Sequence, residues 1–137
     1  MKVKLLSGAK MPTRANKDDA GLDLYAVYGA TIHPGESASF DTGVCIQLPK
    51  NTFGKIESRS GLNVKHGVVS CGGVIDSGYT GSIVVKLYNL SDTPYRINAG
   101  DRIAQLIILP YVIVDLEETD ELAKSDRGAA GFGSSGK

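Results

Sequence analysis

The chain has 137 residues, 42% of them apolar, and its 15 Lys and Arg balance 15 Asp and Glu, the make-up of one soluble domain that can bury a core without disulfide staples. Zero net charge, with acids and bases mixed along the sequence, excludes electrostatic capture of nucleic acid or membrane as the main activity, and no apolar run approaches membrane-spanning length. Any anion must be held by a few placed residues.

The opening MKVKLLSGAKMP is too short and too polar for a signal peptide. Along the chain, short, β-branched apolar runs predict strands at residues 3–6, 22–26, 38–48, 53–57, 67–69, 83–90, 95–97, 103–109 and 112–116. Pro-Gly, Asn-Thr, Ser-Gly and Ala-Gly-Asp turn signals separate them. Residues 60–65 predict a helix of a turn or two. This spacing of short strands predicts an all-β sandwich, jelly roll or barrel. Cys45 and Cys71, far apart within apolar runs, read as buried free thiols of a reducing compartment, with a disulfide the less favoured alternative. His33 and His66 show no metal-ligand spacing with them, so zinc is not indicated. The chain reads as cytoplasmic, and Asn89-Leu90-Ser91 as a chance match to the N-glycosylation pattern.

After residue 116 the pattern stops. Residues 117–121 form an acidic hinge, and from Ser125 onward Gly, Ala and Ser dominate, a composition that buries too little surface to order itself. This tail nevertheless carries Arg127 and Phe132, a cation and a ring suited to an arm that closes over a ligand. Residues 131–136, GFGSSG, satisfy dinucleotide-binding glycine spacing, and Lys137 adds most of a Walker A loop. Both motifs need a strand before and a helix after, so neither is accepted here, where the sequence ends.

Four other segments carry candidate chemistry. In GGVIDSGYTG, residues 72–81, an apolar pair broken by Asp-Ser-Gly reads as a strand–turn–strand hairpin holding Asp76 beside Tyr79. A fixed carboxylate beside a flat ring suits a nucleotide hydrolase, although a lone turn aspartate is commonly just solvated. Arg59 and Ser60, at a strand-to-helix junction, offer a guanidinium, a hydroxyl and backbone N–H groups, the parts of a phosphate cradle, although an Arg-Ser-Gly turn is commonly structural. In GDRIAQL, Gln105 is polar within an apolar strand, so it either satisfies internal backbone or faces a ligand. Asp101 and Arg102 pair with each other or cap the turn. Among the carboxylates of DDAGLD, Asp23 is the best placed for a fixed role because it falls on the alternating strand.

In order, DDAGLDLYA, SRSGL, GGVIDSGYTG, GDRIAQL and RGAAGFGSSG closely resemble the five motifs of the homotrimeric dUTPases, from Asp18 to Gly136. The resemblance implies a jelly-roll domain over residues 1–116 and a hinge with a flexible arm over 117–137. It also implies a threefold homotrimer whose active sites lie between subunits. The implied reaction converts dUTP and water to dUMP and pyrophosphate, limiting uracil in DNA and supplying dUMP for thymidylate synthesis. By similarity Asp76 is the general base aimed at the α-phosphorus. Arg59, Ser60, Gln105, Arg127, Ser134 and Ser135 match positions that hold the triphosphate, and Gly61 and Gly133 match further substrate-binding positions. Gly73, Val74 and Ile75 would read the uracil edge, Tyr79 would lie against the deoxyribose, and Phe132 would stack on the base. Magnesium would be held mainly by the triphosphate, with Asp23 touching its water shell. No nucleic acid or membrane partner is implied, and a regulatory protein partner leaves no motif.

The sequence departs from the family pattern at three places. Ser58 replaces the usual proline, which is expected to loosen that turn; Ser70 replaces a frequent asparagine, which puts one polar contact near the base in doubt; and Ser135 replaces threonine, keeping the hydroxyl. The related dCTP deaminases carry a catalytic glutamate ten positions beyond the match to Asp76. Here that position is Lys86, which cannot act as a carboxylate proton shuttle.

Overall fold

The computed structural model describes residues 1–131. Phe132, Gly133, Ser134 and Ser135 lie outside the described residues.

The described chain forms ten strands and one short helix: β1 Lys2–Leu5, β2 Leu22–Tyr25, β3 Ala30–Ile32, β4 Ser37–Gln47, β5 Thr52–Glu57, α1 Ser60–His66, β6 Val68–Ser70, β7 Val74–Ile75, β8 Ser82–Asn89, β9 Tyr95–Ile97 and β10 Arg102–Pro110. Two four-stranded antiparallel sheets, β1-β4-β8-β6 and β2-β10-β5-β7, enclose one apolar cluster, and β3 and β9 form a separate two-stranded ribbon. Alternation explains the layering. On β8, Ile83, Val85 and Leu87 are buried while Val84 and Lys86 face outward. Phe40, Val44 and Ile46 of β4 meet Leu24, Ile56 and Leu106 of the other sheet in the same cluster, each fully buried side chain contributing about 1.5–3 kcal/mol.

Two buried polar residues pin the frame. The β4–β8 register slips between Asp41 and Cys45, and inside that bulge Thr42 Oγ1 donates to the Ile83 carbonyl at 2.8 Å. Asn89 is fully buried, yet its amide donates to the Ile32 and Thr93 carbonyls and accepts from the Ser91 N–H and hydroxyl. A side chain so engaged is no glycan acceptor, which gives the chance reading of that motif a physical basis.

The strand ends differ from the sequence expectation by a residue or so, with four larger corrections. The three-residue strand β3, too short to show a period, escaped notice. Residues 112–116 form no strand: Val112, Ile113, Val114 and Leu116 are 66–94% exposed, so their apolar pattern marks no element of this chain's own sheets. Cys71 is exposed and Cys45 half-buried rather than both buried, although both thiols are free. Finally, β7 and β8, which flank the Asp-Ser-Gly turn, do not pair with each other. β7 pairs with β5 in one sheet, and β8 with β4 and β6 in the other. The turn is therefore an arch from one sheet to the other. Local turn chemistry dictates the reversal but not the strand partner.

Candidate active site

The sequence-selected residues gather in two places. The first is a cleft lined by Gly21, Asp23, Arg59, Ser60, Arg102 and Gln105, among others. Asp23 on β2 stands opposite Gln105 on β10, and its carboxylate is bracketed by two cations. Arg59 Nε donates to Oδ1 at 3.0 Å and Arg102 Nη1 to Oδ2 at 3.1 Å. Arg59 occupies the extended N-cap of α1, and Ser60 and Gly61 begin a helix whose first N–H groups have no intrahelical acceptor. The Gln105 amide donates to the Ser58 carbonyl at 3.0 Å and packs over Gly21, where a Cβ would lie 2.1 Å from Gln105 Oε1. Of the two readings open for Gln105, the structure shows the first, its amide satisfying backbone, and the residue also lines the cleft.

Arg102 was missed as a site residue. Of the two readings open for Asp101 and Arg102, pairing with each other or capping the turn, Asp101 takes the second by accepting the Asn98 N–H, while Arg102 turns to Asp23. The register between β10 and β2 slips between Arg102 and Ala104, and the successive residues Ile103 and Ala104 are both buried. That bulge brings Arg102 and Gln105 to one face, where strict alternation would separate them. The sequence carries no clear signal for it, because β10 reads RIAQLIILP and its apolar run shows no alternation for a bulge to interrupt.

The second group is the arch. Gly73, Val74, Ile75, Asp76 and Tyr79 line a groove with Ser82 and Val84, and this groove shares no residue with the first cleft. The Asp76 carbonyl accepts the Tyr79 N–H at 3.0 Å, closing the turn. The carboxylate of Asp76 is exposed and, among the described residues, makes no side-chain hydrogen bond. Tyr79 is held at its far end, its hydroxyl donating to the Ser82 carbonyl at 2.8 Å. Its ring lies where a Cβ on Gly81 would fall 2.5 Å from the hydroxyl oxygen. β7 is the outer strand of its sheet. Ile56 N–H donates to the Gly73 carbonyl at 2.8 Å, and the register sets Val74 opposite Lys55. By the antiparallel alternation, the N–H and C=O of Val74 point away from β5, toward the free edge.

The Ser58 hydroxyl is engaged at its turn. Its Oγ accepts the Ser70 N–H at 2.8 Å and lies 3.2 Å from the Ser70 hydroxyl, so two departures from the family pattern meet each other. Arg127 joins neither group. Its Nε donates to the Ala130 carbonyl of its own turn.

Among the described residues no three His, Cys, Asp or Glu side chains cluster as a metal cage. Both Asp23 oxygens already accept from guanidinium groups, a donor set that fits a magnesium ion carried by a ligand's phosphates and touched through water.

Residues 7–136 match the family model described as dUTPase. A deoxyuridine 5'-triphosphate nucleotidohydrolase of Clostridium tetani is 44% identical over 100% of this chain and 97% of its own length. The enzyme of the same name from Cowpox virus is 46% identical over 98% of this chain and 90% of its own. Among solved structures, the Staphylococcus bacteriophage 80alpha dUTPase with dUPNHPP superposes with a TM-score of 0.93 at 33% identity, covering 99% of this chain and 98% of that one. A dUTPase from phage phi11 of S. aureus, whose structure describes the coordination of a structural Mg(II) ion, covers 88% of this chain and 96% of its own at a TM-score of 0.81 and 31% identity. A match spanning nearly the whole chain, with relatives above 40% identity, leaves one conclusion: this chain belongs to the dUTPase family and is a dUTP diphosphatase.

Proposed function

We propose that the chain works as a threefold homotrimer in which Asp76 is the general base, and the cradle of one subunit and the arch of another complete each site. The observation that carries this reading is the division of the site residues between two clefts with no residue in common. The exposed apolar residues Val112, Ile113, Val114 and Leu116 support it, since a second subunit would cover them. The strand over residues 103–109 adds little to that argument, because Ile103 and Leu106 are spent in the chain's own core.

In this reading the unengaged Asp76 carboxylate takes a proton from a water whose oxygen bonds to the α-phosphorus as the bond to pyrophosphate breaks. Arg59, Arg102, Ser60 and Gln105 bind the phosphates and offset their charge, a preorganised arrangement that needs no reorientation during the reaction. Magnesium, carried by the triphosphate and touched by Asp23 through water, would supply further charge neutralisation on the leaving group. Arg127 on the arm, with Phe132, Gly133, Ser134 and Ser135, would close over the nucleotide from a third subunit.

The free N–H and C=O of Val74 present one donor and one acceptor at the sheet edge. Uracil offers a matching acceptor and donor, and cytosine inverts them. Tyr79, fixed between Ser82 and Gly81, would lie against the deoxyribose and leave no room for a 2′-hydroxyl. Two free thiols suit a reducing cytoplasm, in which the product dUMP would supply thymidylate synthesis and dUTP would be kept out of DNA. No helix among the described residues is long and apolar enough to cross a membrane.

The test measures pyrophosphate and ammonia release from dUTP and dCTP for the wild type and Asp76→Asn. Expected are pyrophosphate from dUTP without ammonia, and a fall in kcat of about 10²–10⁴-fold in the variant. Full activity in Asp76→Asn would assign the base elsewhere.

A further inference from the structure

The cradle and the arch are joined inside one chain by a side chain that has no part in the proposed mechanism. Ser58 immediately precedes Arg59, and its carbonyl holds the Gln105 amide at 3.0 Å. Its half-buried hydroxyl accepts the Ser70 N–H at 2.8 Å, lies 3.2 Å from the Ser70 hydroxyl and approaches the Ser70 carbonyl at 3.4 Å. Ser70 ends β6. Beyond it the chain passes through Gly72 and Gly73, at φ of +77° and +107°, and is caught again where the Gly73 carbonyl accepts the Ile56 N–H. The left-handed bend is therefore gripped at both ends by the same stretch of chain, the Ser58 hydroxyl at one and the Ile56 amide at the other. Ile56 also fills the space of a Gly73 side chain, since a Cβ there would lie 2.6 Å from it. Out of this bend comes Val74, whose outward N–H and C=O form the free edge of the arch.

We propose that Ser58 is a positioning residue for dUTP hydrolysis: its carbonyl orients Gln105 in the cradle while its hydroxyl sets the bend that aims the Val74 edge. A hydrogen-bond acceptor on a short, half-buried side chain is suited to this task. Without that acceptor the half-buried Ser70 N–H loses its partner, and the bend loses one of its two ties. The inference rests on the reading of Val74 as the group that faces the base.

The experiment measures kcat and KM for dUTP and the preference for dUTP over dCTP in wild type, Ser58→Ala and Ser58→Thr, each with a thermal melt. Removing the hydroxyl is expected to raise KM roughly tenfold, the scale of one lost hydrogen bond to a fixed group, with kcat changed about twofold or less. The preference for dUTP should narrow, and Ser58→Thr, which restores a hydroxyl, should recover both. Should Ser58→Ala fail to fold, Ser58→Cys, with a weaker acceptor at the same place, should show the same rise in KM. If the wild type prefers dUTP while Ser58→Ala or Ser58→Cys keeps the wild-type KM and preference, the positioning role is overturned and the reading of Val74 stands. If the wild type hydrolyses both nucleotides equally, the reading of Val74 falls and this inference with it.

Discussion

Gly21→Ala places a methyl group against the amide of Gln105. The new Cβ would lie 2.1 Å from Oε1, 2.9 Å from Cδ and 3.1 Å from Cβ of Gln105. The side-chain end of Gln105 must move, and it can move because it is flexible. Stability then loses little more than the bond to the Ser58 carbonyl, about 1 kcal/mol, equivalent to roughly 2–5 °C in melting temperature. Activity loses more. A hydrogen bond to a charged phosphate is worth about 1.5–3 kcal/mol, so kcat/KM should drop about 10–100-fold. A double-mutant cycle with Gln105→Ala separates the causes by steady-state kinetics and thermal melts of the four proteins. Once the amide is absent, Gly21→Ala should cost nothing further. An equal activity loss in both backgrounds would refute the reasoning, showing that Gly21 acts through something other than Gln105. Gly78→Ala, where a Cβ meets nothing within 4 Å, serves as the stability control and should melt as the wild type does.

Arg102→Ala should raise KM for dUTP about tenfold, and the difference from wild type should shrink in high salt because the guanidinium is partly exposed; a salt-independent change would speak against an electrostatic role. Asn89→Ala should cost about 1–3 kcal/mol in urea unfolding, since it leaves the buried Ile32 carbonyl without its donor and the half-buried Ser91 without its acceptor. Deleting residues 127–137 should leave a trimer by light scattering while turnover falls by about 10³–10⁵-fold, the scale of a cation delivered in trans to a phosphoryl group.

The sequence and the structure agree where a short-range rule decides the outcome. Buried alternation on β8 and turn signals at Gly100-Asp101 are local properties, and the elements fall where those rules put them. The disagreements come from long-range choices. The turn at Asp76 is visible in its residues, but whether β7 pairs with β8 or with β5 depends on chain twenty residues away. Arg102 was hidden because one bulge changes the phase of a strand. Residues 112–116 read as a strand because they carry a strand's apolar pattern; within this chain they remain exposed. Ser58 and Ser70, twelve positions apart, gave two separate doubts in sequence and one hydrogen-bonded pair in space.

Subunit mixing tests most directly whether each active site is assembled from different chains. Asp76→Asn lacks the base of the arch, and Arg59→Ala lacks a cation of the cradle, so each homotrimer should be nearly inactive. Unfolding the two together in equal amounts and refolding them should recover about a quarter of wild-type turnover, the fraction of sites that draw an intact arch and an intact cradle from different subunits of a threefold ring. A mixture that stays as inactive as its parents, with heterotrimers demonstrated by mass spectrometry, would mean that each chain builds its site alone.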